Sequence, residues 1–185
     1  MSRETPPAAK GVLPKRRARE TPPAERLLTH PFAPVYDARS ETLVLGSFPS
    51  AVSRARGFYY AHPRNRFWSV LAAVFGEETP ADEAGKRGLL LLNRVALWDV
   101  IGSCETDGSA DAGIRNAAAN DFAAIFAECR ITRVLCNGGT AYALFVKRAA
   151  VPAGVEVLQM PSTSPANAAW SAERLRAAWG GGLYR

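Results

Sequence analysis

TLVLG, residues 42–46, is a short apolar run with β-branched members that ends on glycine. Such a run reads as a buried parallel strand. Three further runs share this character: VALWDV (95–100), RVLCNGG (133–139) and VEVLQM (155–160). Between them lie segments with helical spacing. NRFWSVLAAVF (65–75) carries Phe67, Val70, Leu71, Val74 and Phe75 at i, i+3, i+4 intervals. A helix is expected through Asp82 to Leu91, and DFAAIFAEC (121–129) reads as another, with Asn120 or Asp121 as N-cap. TAYALFVKRAA (140–150) puts Tyr142, Phe145 and Val146 on one helical face, and SAERLRAAW (171–179) closes the chain as a helix. Strands alternating with helices give an α/β domain, a mainly parallel four-stranded sheet with helices on both faces.

In such folds ligands bind beyond the carboxyl ends of the strands. Those ends are Gly46 with its loop, Trp98 to Gly102, Asn137 to Gly139, and Met160 with PSTSPANA (161–168). SFPSAVSRARGFYYAHPR (47–64) has no hydrophobic period and reads as a long loop, and so does GSCETDGSADAGIRNAAAN (102–120). LLTHPFAPVYD (27–37) is a lead-in whose prolines, Pro31 and Pro34, forbid a long helix.

The densest chemistry sits in GFYYAHPRNRFW (57–68), with five aromatic rings, one histidine, two arginines and one asparagine. Asn65 lies at or near a helix start, where it can cap backbone N–H groups or serve a site. Between Glu41 and Glu77 no acidic residue occurs, whereas Arg54, Arg56, Arg64 and Arg66 do. That window is a local positive field, the kind an acidic partner meets.

Residues 1–26 carry seven basic and three acidic side chains, +4 of the formal net charge of +6. They are proline-rich, repeat ETPP and lack periodicity, so a disordered basic arm is expected there, followed by a single domain over 27–185. The composition, 48% hydrophobic and 22% charged, is that of a soluble protein. No apolar run approaches the roughly 18 residues of a membrane helix, and the first thirty lack a secretory apolar block, so a cytoplasmic protein is expected. Cys104, Cys129 and Cys136 form no CxxC pair and His30 and His62 lie far apart, which argues against structural zinc or an iron-sulfur cluster.

Phosphate-loop, dinucleotide and nucleophile-elbow signatures are missing from the sequence. NGGTAY (137–142) can present amides to an anion or form a tight strand-to-helix turn. Asp99 can be a general base or a base-edge reader, or can cap the loop after it. Asn93 reads as a turn residue.

Six blocks taken together, GSFPS, FYYAHPRNRFW, ALWDVIGSC, NDF, the NGG turn and PSTSPANA, resemble the uracil-DNA glycosylase superfamily in order and spacing. The similarity is greatest to its hypoxanthine-DNA (deoxyinosine) glycosylase branch, with the mismatch-specific uracil/thymine glycosylases as cousins. It covers roughly Pro31 to Trp179. The resemblance implies a three-layer α/β/α domain and hydrolytic excision of a damaged base from DNA. Uracil-specific members place an aspartate or asparagine where this chain has GSFPS, and a histidine where it has PSTSP. In the hypoxanthine branch the catalytic amide is the asparagine of the HPRN segment, which implies Asn65.

Base excision requires the target to be flipped from the duplex and stacked on aromatic rings. Phe48 and Tyr60 are the candidates, with Tyr59 next and at least one of the three expected in the core. Gly46, Ser47, Trp98 and Asp99 complete the expected base pocket. Arg64, Arg66, Ser162, Thr163 and Ser164 are expected at DNA phosphates. No lysine lies in a strand-end loop, so simple hydrolysis without a Schiff-base step is expected. The chemistry requires neither metal nor cofactor, and a monomer acting on damaged DNA is expected. A uracil or mismatched-thymine glycosylase, a non-catalytic damage-binding domain and a small-molecule hydrolase are the alternatives.

Overall fold

The computed structural model describes residues 26–106 and 114–184. The basic arm expected over 1–26 therefore lies outside the described residues except for Arg26. Elements follow in the order β1 (Arg26–Thr29), β2 (Thr42–Gly46), α1 (Ala51–Arg56), α2 (Phe67–Phe75), α3 (Glu83–Leu92), β3 (Val95–Asp99), β4 (Ile101–Thr106), β5 (Ile114–Ala119), α4 (Ala123–Glu128), β6 (Arg133–Asn137), α5 (Gly139–Arg148), β7 (Glu156–Met160) and α6 (Ala172–Leu183).

The four expected strands form one parallel sheet in the order β3-β2-β6-β7. Successive side chains of a strand point to opposite faces, and here each face has its own core. Val44, Leu97 and Leu135 pack with Phe67, Leu71, Leu90, Leu175 and Trp179, from α2, α3 and α6. Leu43, Leu45, Ala96 and Cys136 pack with Ile125, Ala141 and Phe145, from α4 and α5. The expected three-layer arrangement follows directly from this alternation. Among the described residues no helix is long and apolar enough to cross a membrane.

Two segments read as loops are regular. The stretch after β2 contains the short helix α1, capped by Ser50, whose hydroxyl accepts from Ser53 N at 3.2 Å, and stopped by Gly57 at φ 70°. Six residues are too few to display a hydrophobic period, but both caps are ordinary signals. The second stretch contributes to an antiparallel sheet ordered β1-β4-β5. Only Val100 separates β3 from β4, so one run leaves the parallel sheet and enters the second one. Its apolar content is small: Ile101, Cys104 and Ala117 bury against Phe48. The lead-in supplies β1, which ends where His30 N donates to Gly102 O at 2.7 Å.

Smaller differences concern faces and ends. Val146 is 55% exposed, because α5 turns Ala141 and Phe145 inward instead. Helix α2 begins at Phe67, two residues after Asn65. Asp121 Oδ1 accepts from Ala123 N at 2.9 Å at the start of α4, and Asn93 closes α3 with Nδ2 on Leu89 O.

Candidate active site

The carboxyl ends of the parallel strands surround a cavity of about 130 Å³. Gly46, Ser47, Phe48, Pro49, Ser50 and Ser53 line it from β2 and the loop into α1; Tyr59, Tyr60 and Asn65 line it from the segment before α2. Asp99, Asn137, Ser162 and Ser164 complete the wall.

Asn65 is placed by a turn. Its N–H donates to His62 O at 2.8 Å across Pro63, and the His62 Nδ1 accepts from Arg64 N at 3.1 Å. Proline fixes φ near the value the second turn position needs. The side-chain Oδ1 then accepts from Phe67 N at 3.0 Å, which satisfies a helix-start donor, and from the Thr163 hydroxyl, also at 3.0 Å. A backbone N–H can only donate, so the oxygen of the amide is fixed on that side. Both Oδ1 lone pairs are engaged, and Nδ2 is the end left to donate.

Thr163 is fully buried. Its N–H donates to Asn137 Oδ1 and its hydroxyl accepts from Asn137 Nδ2, each at 2.9 Å. The NGG turn supports this pair: Gly138, at φ 101°, would bring a Cβ within 3.1 Å of Ser162 Cβ, so the glycine permits the close approach of residues 161–163. A tight turn thus accounts for those glycines. Thr163 was expected at a phosphate; it is instead an internal brace between Asn137 and Asn65.

Tyr60 holds φ 50°, a left-handed backbone uncommon outside glycine. Its ring stacks on Phe67 with centroids 3.9 Å apart. Tyr59 is the core member of the aromatic group, buried, with its hydroxyl donating to Ala33 O at 2.9 Å. Phe48 packs edge-on to His30 at 6.2 Å and beneath Arg54, whose guanidinium lies 5.6 Å from the ring centroid and donates to Pro49 O.

Asp99 faces Gly46 across the β2–β3 pairing and is only 3% exposed. Its Oδ2 lies 2.9 Å from His30 Nε2. A Cβ on Gly46 would stand 2.1 Å from Asp99 Oδ1 and 2.9 Å from the Tyr60 hydroxyl, so only glycine lets both groups close over the strand end. Burial pushes the Asp99 carboxyl above the usual carboxylate range, and the bond from His30 pulls it partly back.

Other expected positions are used differently. Trp98 does not line the cavity; it packs against Phe122 with centroids 5.4 Å apart. The Arg66 guanidinium is committed to the loop after β7, donating to Trp170 O, Ser164 O and Asn167 O. These bonds hold the PSTSPANA loop in place. Arg56 and Arg64 are exposed. Ser162 and Ser164 stand in the wall, linked by a bond from Ser164 N to Ser162 Oγ at 3.2 Å.

The sequence reading missed Asn137 as a brace, Ser53, whose hydroxyl accepts from Ala61 N at 3.2 Å, and His30. Asn137 carried a signal in the NGG block. His30 carried none, because it reaches Asp99 through pairing between β1 and β4, 69 residues away in sequence.

Comparison with known proteins agrees with this geometry. The family model described as "Uracil DNA glycosylase superfamily" matches residues 33–180. A Methanosarcina acetivorans protein named hypoxanthine DNA glycosylase is 34% identical over 148 residues, 77% of this chain and 90% of that protein. A Methanosarcina barkeri protein of the same name is 37% identical over 92 residues, 49% of this chain and 58% of that one. The solution NMR structure of a candidate uracil DNA glycosylase from Methanosarcina acetivorans superposes with a TM-score of 0.71 at 29% identity, covering 85% of this chain and 97% of that one. A cavity at the ends of the parallel strands, an amide braced on its wall and a family match over most of the chain make this protein a member of the uracil DNA glycosylase superfamily.

Proposed function

We propose that the protein is a monofunctional DNA glycosylase that flips a deaminated base, hypoxanthine foremost, out of DNA and hydrolyses its N-glycosidic bond. The observation that carries this reading is Asn65, braced by Thr163 and Phe67 N on the wall of the strand-end cavity. The names of the two Methanosarcina relatives support hypoxanthine as the base.

An amide is too weak a base to deprotonate water, so its contribution is placement. Asn65 Nδ2–H holds the water oxygen by one lone pair and leaves the other to attack C1′. The C1′–N9 bond breaks with its electron pair leaving on the base, the water oxygen bonds to C1′ and gives up one proton, and the base takes up one proton in exchange. The products are hypoxanthine and an abasic sugar. A backbone N–H just past the end of β2, at Ser47, meets the developing charge of the leaving base, where a preorganised donor contributes about 2.7–4 kcal/mol. Phe48 and Tyr60 offset the cost of unstacking, at roughly 1–3 kcal/mol per stacked base. Exposed Arg56 and Arg64, with Ser162 and Ser164, grip the phosphates. In this reading the protein acts as a cytoplasmic monomer.

The test is Asn65→Ala. It is expected to abolish hypoxanthine release from a deoxyinosine oligonucleotide while leaving the circular dichroism of the fold intact, and retained activity would overturn the assignment. Running U, T and I substrates side by side ranks the bases, and strand nicking without alkali would contradict simple hydrolysis.

A further inference from the structure

The cavity wall contains one carboxylate, Asp99, and the hydrolysis described above gives it no task. Its two oxygens have different surroundings. Oδ2 is tied to His30 Nε2 at 2.9 Å, with both side chains about 95% buried. Oδ1 lies over the Cα of Gly46, in the wall that a bound base would touch. His30 is itself held by its backbone bond to Gly102 O and by edge contact with Phe32, at 4.7 Å between centroids. The carboxylate is therefore fixed in orientation from behind.

Burial opposes ionisation of Asp99 and the bond from His30 favours it; in its ionised form the carboxylate only accepts hydrogen bonds. Adenine presents a bare N1 lone pair beside an amino group. Deamination turns C6 into a carbonyl and N1 into an N–H donor. A fixed acceptor at that edge pairs with hypoxanthine and sets lone pair against lone pair with adenine. Uracil carries the same element, a ring N–H beside a carbonyl. N1 also lies across the purine from N9, so a carboxylate there stays clear of the bond that breaks.

We infer that Asp99, oriented by His30, reads the ring N–H of a deaminated base and excludes adenine. This rests on the glycosylase reading above and adds a specificity residue to it, with His30 as its positioning residue. Sites built to bond a substrate N–H reject analogues lacking it by up to about 10⁴–10⁵-fold. His30→Ala releases the carboxylate from its orientation, and His30→Gln restores a donor.

The experiment is single-turnover release from oligonucleotides containing deoxyinosine, deoxynebularine or deoxyadenosine. Deoxynebularine has the bare N1 of adenine with nothing at C6. For wild type, hypoxanthine release is expected to exceed release from deoxynebularine by at least about 100-fold. In Asp99→Asn the amide N–H can donate to N1, and that ratio is expected to narrow by about 10-fold or more. Asp99→Ser, whose hydroxyl can also donate, provides a second variant with the same expected direction if the first does not fold. His30→Ala should narrow the ratio partly, and His30→Gln should recover it. Equal losses on deoxyinosine and deoxynebularine would overturn the inference and make Asp99 a general base or a structural group. A wild-type enzyme inactive on deoxyinosine would overturn the glycosylase reading itself, and the two failures are distinguished by that control.

Discussion

Thr163 Oγ1 donates to Asn65 Oδ1 at 3.0 Å, joining two residues 98 positions apart in sequence. The same hydroxyl accepts from Asn137 Nδ2. Three strand-end segments thus converge on one amide, and its rotation is opposed by Phe67 N–H as well.

Replacing the hydroxyl should therefore disturb catalysis more than binding. Thr163→Val keeps the shape but leaves Asn137 Nδ2 and one Asn65 lone pair unmatched. A misplacement of about 1 Å can cost roughly 10²-fold in rate. The single-turnover rate of hypoxanthine release is expected to fall by about 10–100-fold, with oligonucleotide affinity nearly unchanged. Thr163→Ser, which retains the hydroxyl, should recover most of the rate. Equal rates for the valine and serine variants would show that the brace does not matter.

The arginines separate by structure where sequence treated them alike. Arg66 donates to carbonyls at 164 and 167 and at 170 from the partly buried start of α2. Bonds to charged groups contribute about 1.5–3 kcal/mol each and are not additive, so Arg66→Ala is expected to lower unfolding stability by about 3 kcal/mol in a urea titration. Arg64→Ala should leave stability within about 0.5 kcal/mol. It should instead reduce the slope of log K against log salt by about 1 in a DNA-binding titration. The opposite assignment of the two effects would refute this division.

That contrast shows where the sequence was readable. The four parallel strands and five of the helices carry apolar periodicity, and periodicity comes from burial against a sheet. Asn65, Gly46, Phe48, Tyr60 and Asp99 stand at strand ends or in the motif-bearing loop, so position alone marked them as neighbours. The small antiparallel sheet buries few large side chains, and IGSCET and IRNAAA leave no alternating signature. Whether an arginine faces phosphate or carbonyl depends on how a distant loop folds back, which spacing along the chain does not encode. Thr163 was read as a surface hydroxyl for the same reason.

Asp99 also makes a claim about pH. Burial raises its carboxyl in the folded protein, above the value near 3.9 expected for the unfolded chain. Folding then favours the protonated form: the contribution is fully present below the unfolded value and is lost as pH rises through the folded one. His30 faces the carboxyl through a bond, the Tyr60 hydroxyl lies close by, and burial raises the nearby Tyr59 hydroxyl well above its ordinary value. Groups elsewhere titrate alike in wild type and in Asp99→Asn and cancel in the difference. The melting temperature of Asp99→Asn minus that of wild type is therefore expected to grow more positive as pH rises from about 4. A difference that shrinks with pH would mean that the attraction of His30 outweighs burial.

Gly46 offers the sharpest steric prediction. It ends β2 with Asp99 paired beside it, and a methyl group there would stand 2.1 Å from Asp99 Oδ1. The Tyr60 hydroxyl is the next obstacle, at 2.9 Å. Neither group yields easily: Asp99 is tied to His30, and the Tyr60 ring is stacked on Phe67. Gly46→Ala must push one of them into the cavity or break the pairing of β2 with β3. Overpacking of this kind typically costs about 1–3 kcal/mol, while the displaced carboxylate or phenol occupies the space of the base. Hypoxanthine release is expected to fall by at least about 100-fold in a variant that still unfolds cooperatively. Gly57→Ala is the control. That glycine has open space around its Cβ position and a positive φ, so its replacement should cost about 1 kcal/mol of stability and little activity. If the two alanine variants behaved alike, close approach at Gly46 would not be what shapes the pocket.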